Sequence, residues 1–127
     1  MNFPNRPLDA IEGWHAHIYY DPGETKALAA ILRQKIENEF PNVRVGRWHD
    51  DAVGPHLIAM YQVAFETHQF DKIVQWLSVN RDGLDVLVHP QTENAWNDPF
   101  IFGFCLGNRL LLNEDRLRKT AVRADRN

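Results

Sequence analysis

The sequence has a single cysteine, Cys105, so no disulfide can form within the chain. A lone thiol suits a reducing compartment, and a cytoplasmic protein is the expectation. Cationic excess is also missing: 14 Lys+Arg stand against 17 Asp+Glu, a formal net charge of -3. Binding a phosphate backbone takes positive charge to displace its counterions, so nucleic acid is not an expected partner. The densest basic stretch, Arg116, Arg118, Lys119, Arg123 and Arg126, is diluted by Glu114, Asp115 and Asp125. It reads as a solvated end, with residues 119–127 flexible. No apolar run approaches the roughly 20 residues that span a bilayer, so no membrane partner is expected. Residues 1–11 carry Pro4 and Pro7 without an apolar stretch. They read as an extended tail rather than a signal peptide. Internal repeats, a phosphate-cradling glycine loop, a Cys-x-x-Cys pair and a Ser-His-Asp order are absent too.

What is present is an ordinary globular balance, 44% hydrophobic and 24% charged over 127 residues. That length fits one domain, residues 1–127, with a core that needs no structural metal. A metal, if bound, would serve chemistry.

Periodicity divides the chain into elements. Residues 14–20 alternate, with Trp14, Ala16, Ile18 and Tyr20 on one face and His15, His17 and Tyr19 on the other. That is a strand with one apolar side. Asp21-Pro22-Gly23-Glu24 is a helix start with a capping residue and Pro at the first turn. The helix should run to Glu39, burying Leu28, Ile31, Leu32, Ile36 and Phe40. Val43 and Val45 mark a short second strand. A third should open at His56 and continue to Phe65. A second helix should cover 69–80, and a fourth strand 84–88, ending at His89-Pro90. Strand, helix, strand, strand, helix, strand is the ferredoxin-like α+β sandwich, with an antiparallel sheet and a C-terminal extension. In the extension, the apolar runs 100–106 and 109–112 flank Gly107-Asn108 and read as a hairpin.

In that architecture the helices cover one face of a sheet ordered 4-1-3-2. The apolar side of each strand should meet them. His15, His17, His56 and His89 then fall together on the opposite face, four of the six histidines, drawn from three separate segments. Residues i and i+2 of a strand lie about 6.6 Å apart and neighbouring strands about 4.8 Å. Imidazoles at such spacings can converge on one ion. A lone histidine more often packs or meets solvent than binds metal, so the coincidence of the four carries the reading. Within the pool, His17 and His89 are the first metal candidates. His15 and His56 are candidates for metal binding or for acid–base work. Tyr19, His49 and Trp96 are candidates for substrate contact, and the C-terminal aromatic segment could wall a pocket over the open face. Asp85 is the only carboxylate that periodicity puts on this face, about 13 Å along the strand from His89.

Several runs resemble the DOPA 4,5-dioxygenase family: Trp14-His15-Ala16-His17-Ile18-Tyr19-Tyr20-Asp21, Val53-Gly54-Pro55-His56, Met60-Tyr61-Gln62-Val63-Ala64-Phe65, Leu84-Asp85-Val86-Leu87-Val88-His89-Pro90, and Leu106-Gly107-Asn108 with Leu110 and Leu112. The resemblance implies a ferredoxin-like fold and extradiol cleavage of a catechol by O₂ at non-haem Fe(II), with the same four histidines as functional residues. An all-histidine set also suits zinc or another divalent metal. The competing expectation is a metal-free ferredoxin-like small-ligand binding or sensor protein. On either reading the open face invites a homodimer.

Overall fold

The computed structural model describes residues 3–113 and 115. The basic end and residues 119–127 lie outside the described residues. Five strands form one antiparallel sheet in the order β2-β3-β1-β4-β5. They are β1 Gly13–Tyr19, β2 Arg44–Val45, β3 Met60–Phe65, β4 Val86–Gln91 and β5 Phe104–Leu106. Helices α1 Lys26–Glu39 and α2 Phe70–Asn80 follow β1 and β3 in the ferredoxin-like manner, and a short α3, Asn97–Phe100, follows β4.

The helix-covered side holds the main core. Ala16 and Ile18 of β1 with Tyr20 just after it, Tyr61, Val63 and Phe65 of β3, and Val86 and Val88 of β4 pack with Ala29, Leu32 and Ile36 of α1 and Ile73 and Leu77 of α2. Each strand gives alternate residues to this layer, as a pleated strand must. The buried Tyr61 hydroxyl donates to the Ala29 carbonyl at 2.9 Å, which removes the cost of an unpaired buried donor.

The expected topology holds, and several details differ. Helix α1 begins at Lys26, because residues 22–25 form turns in which the Asp21 carbonyl accepts from Glu24, Thr25 and Lys26. Leu28 and Ile31 are 41% and 52% exposed instead of buried. Around the helix they lie to one side of the arc set by Ala29, Leu32 and Ile36, which faces the sheet. The third strand begins at Met60, not at His56. Gly54 takes a left-handed φ of 57° and Pro55 follows it, so residues 50–59 run as a loop. Strand β4 continues two residues past His89, through Pro90 to Gln91. Proline is tolerated there because β5 pairs only with Val86, Leu87 and Val88. The Tyr19 N–H donates to the Asp85 carbonyl. That sets the odd-numbered β1 residues as the hydrogen-bonded pairs and turns the Pro90 nitrogen toward the open edge.

The expected hairpin around Gly107-Asn108 does not form. Residues 104–106 instead join the β4 edge, and Leu112 makes a single antiparallel bridge to His56. The turn is held differently. Gly107 has φ 86°, and a Cβ there would lie 2.5 Å from the Asp85 carboxylate, which accepts the Asn108 N–H at 2.7 Å. Asp85 is thereby committed to the turn.

Candidate functional site

Register builds the site from the second face of the sheet. Directly paired residues of antiparallel strands share a face. One row across the sheet reads Arg44, Ala64, His15, His89. The next reads Gln62, His17, Leu87, Cys105. The third reads His49, Met60, Tyr19. Three strand-borne histidines therefore occupy two adjacent rows of the two central strands, β1 and β4. Periodicity of β1 and β4 was enough to find them. Alternation along the third strand also puts Gln62 on this face, while the row partner Arg44 escaped the sequence reading, and only the register of β2 on β3 could have pointed to it.

His56 arrives by another route. Its loop is fastened to the C-terminal segment by the Leu112 bridge and by an Asn113 N–H bond to the Pro55 carbonyl at 2.6 Å. This seats the His56 ring 4.3 Å from that of His17 and 5.5 Å from that of Tyr19. So the face that gathers the four histidines is as expected, while the element carrying His56 is a loop.

The ligand atoms of His15, His17 and His89 all lie within 4.8 Å of one another. His17 Nε2 and His89 Nε2 are 2.9 Å apart. Two nitrogens bound at right angles to one ion, each at about 2.1 Å, would stand about 3.0 Å apart. The His89 Nδ1–H donates to the Pro90 carbonyl at 2.8 Å, which leaves the lone pair on Nε2, the nitrogen turned toward His17. A metal-binding histidine is commonly oriented by such a bond. His17 Nδ1, on the side of the ring away from His89, is buried without a hydrogen-bond partner, a cost that an ion at Nε2 would not remove.

Burial also sets the charge state. His17, His56 and His89 are buried and His15 is half-buried. Loss of water, then the neighbouring His89 and Arg44, push His15 down to about 4. Burial followed by His89 and His49 takes His56 down to about 4. His17 falls well below its ordinary range, from burial first and then from the surrounding imidazoles. Burial lowers His89 as well, against an upward pull from the Pro90 bond and from Asp98. Neutral imidazole is the form that binds a metal, so the cluster fits a divalent ion through borderline nitrogen donors.

The three other candidates separate. Tyr19 is buried, and its hydroxyl lies 2.6 Å from His56 Nδ1. Burial and Cys105 raise its pKa, so the phenol keeps its proton. The bond works in either sense: with Tyr19 donating, His56 carries its proton on Nε2, and with Nδ1–H donating, Nε2 offers a lone pair. His49 joins the face at the third row. Trp96 sits outside the sheet rows, at the start of α3, stacked on Phe100 at 4.9 Å.

No carboxylate joins the cluster among the described residues. Asp98 is buried and accepts from the Thr92 N–H and hydroxyl at 3.0 and 2.6 Å, and Glu66 and Glu93 face His68 and Arg6. Part of the face is apolar: Tyr19, Met60 and Leu87 pack with Cys105, Leu110 and Leu112. Beside Leu87 and Leu112 opens a groove of about 580 Å³ that also includes Phe100 and Phe104.

Among known proteins, the chain is 31% identical over 110 residues to the DOPA 4,5-dioxygenase of Amanita muscaria, covering 81% of this chain and 48% of that protein. It is 40% identical over 91 residues to an uncharacterized 21.2 kDa protein of Botryotinia fuckeliana, covering 68% of this chain and 50% of the relative. The chain thus spans about half the length of these curated relatives. A crystal structure of a candidate dioxygenase from Nostoc punctiforme PCC 73102 superposes with a TM-score of 0.86 at 44% identity, over 91% of this chain and 99% of that one. No helix among the described residues is long and apolar enough to cross a membrane. The model of the Dopa 4,5-dioxygenase family matches residues 14–116, and the chain belongs to that family.

Proposed function

We propose that the chain is an extradiol dioxygenase acting on catechol-type aromatic substrates, with a metal held by His15, His17 and His89 and a proton-handling pair made of His56 and Tyr19. The observation that carries the reading is the neutral trio, two of its members buried and His15 half-buried, whose ligand atoms lie within 4.8 Å of one another. Non-haem Fe(II) held there would supply the redox capacity that O₂ chemistry needs, and its charge would acidify a catechol hydroxyl.

The chain's own groups do the rest. The Pro90 carbonyl fixes the His89 tautomer, so that Nε2 faces the centre. His56 takes a catechol proton at Nε2 when its Nδ1–H points to Tyr19, and returns one when the hydroxyl donates instead. Met60, Leu87 and Leu112 exclude water around the pair. His49, Tyr19 and Trp96 remain the candidates for substrate contact. Zinc would bind the same donors without supplying redox chemistry.

Fe(II)-loaded protein should consume O₂ with a panel of catechols and form a yellow semialdehyde, with both oxygen atoms entering the product and one ring C–C bond broken. Absence of uptake across the panel, with iron demonstrably bound, would refute the reading.

A further inference from the structure

The groove beside Leu87 opens next to the histidine cluster. Leu87 is the register partner of His17 on the same face, and Leu112 is bridged to His56. Its volume, about 580 Å³, lies within the range of small-molecule sites. Phe100, Phe104, Leu110 and Leu112 give it an apolar, partly aromatic lining, and Arg109 is the one charged residue in it among the described residues.

Arg109 makes no ion pair among the described residues; Arg44, Arg47, Lys72 and Arg81 make none either, but of these only Arg109 lines the groove. Asp85, which holds the turn before Arg109, is occupied by the Asn108 N–H. That turn has little freedom, because Gly107 is already against the Asp85 carboxylate. The guanidinium is thus a cation without an ion pair among the described residues, on a braced turn at an apolar groove. It offers an anion a planar, two-pronged partner.

We propose that this groove receives the side chain of the aromatic substrate and that Arg109 selects substrates whose side chain ends in a carboxylate. The inference deepens the ring-cleavage reading and rests on it for the position of the ring, but recognition can be measured without the reaction. The probes are 3-(4-hydroxyphenyl)propanoate and neutral 4-ethylphenol, each titrated calorimetrically into the full chain. Wild type should bind the carboxylate at least about tenfold more tightly. Arg109→Gln should erase that preference while leaving 4-ethylphenol unchanged, and Arg109→Lys should keep part of it. Arg109 is exposed, so the variants should fold, which circular dichroism checks.

Equal binding of the two probes by wild type, no binding of either, or a preference that survives in Arg109→Gln would overturn the inference. Activity separates it from the reading beneath. If both 4-ethylcatechol and 3-(3,4-dihydroxyphenyl)propanoate are cleaved with no Arg109-dependent preference, Arg109 selection fails and ring cleavage stands. If neither is cleaved but the binding preference holds, ring cleavage fails and the recognition site stands.

Discussion

His17 and Ile18 are neighbours in β1 and both are buried, yet they belong to different layers. Ile18 lies in the apolar core beneath the helices, and His17 sits among imidazoles on the other side of the sheet. Burial stabilises the chain at the first position by removing hydrocarbon from water. At the second it holds an imidazole neutral, with Nδ1 unsatisfied, which costs stability rather than adding to it. A single strand thus carries the helix-covered core on its even-numbered residues and the histidine cluster on its odd ones. The two can be broken separately.

The largest effect is expected at this pair. His17→Ala should lower metal affinity by more than about 100-fold, judged from the 10–100-fold that loss of an outer-shell partner alone costs. It should leave the fold intact by circular dichroism. Ile18→Ala should do the reverse, costing about 2–5 kcal/mol in urea unfolding with metal stoichiometry unchanged in the folded fraction. If His17→Ala unfolded the chain, or Ile18→Ala lost metal selectively, the division between faces would be wrong.

The next pair up the strand repeats the comparison on a smaller scale. Tyr19 bonds His56 on the site face, and Tyr20 donates to Asp50 at 2.6 Å on the other. Tyr19→Phe should reduce kcat by about tenfold to a hundredfold and change its pH profile, without loss of bound metal. Tyr20→Phe should cost about 1 kcal/mol of stability and leave kcat unaltered.

A gentler probe is pH. His15 and His56 ordinarily titrate near 6.5 and fall to about 4 in the fold. Between those values the unfolded chain binds more protons than the folded one, so stability rises with pH through the window. Metal-free protein should therefore be most stable above about pH 6.5 and weaken progressively toward pH 4. Urea midpoints at several pH values check the sign. A midpoint that rose on acidification would contradict the burial account.

The strand-borne histidines were legible because period 2 is local: His15 and His17 follow from β1 alone, and His89 from the strand before Pro90. The sheet order followed from the sequence of elements. His56 was legible in outcome but not in cause. Extending alternation back from Met60 put it on the right face, whereas it arrives on a loop fastened to Leu112 and Asn113. Such long-range closure leaves no periodic trace. The same limit explains β5. Apolar runs around Gly107-Asn108 fit a hairpin locally, and only the vacant edge of β4 offers those residues a better partner. Leu28 and Ile31 misled for a related reason, since the phase of α1 is set by how it lies on the sheet. Asp85, the one carboxylate that alternation put on this face, is committed to a turn, accepting the Asn108 N–H.

The central claim is that the histidine face is a metal centre. Crystals of protein loaded with one equivalent of Fe(II), measured for anomalous scattering at the iron edge, test it directly. The account predicts one peak within about 2.0–2.2 Å of ligand nitrogens from His15, His17 and His89. A peak coordinated elsewhere, or no bound iron while these histidines remain neutral and hydrogen-bonded to one another, would contradict it.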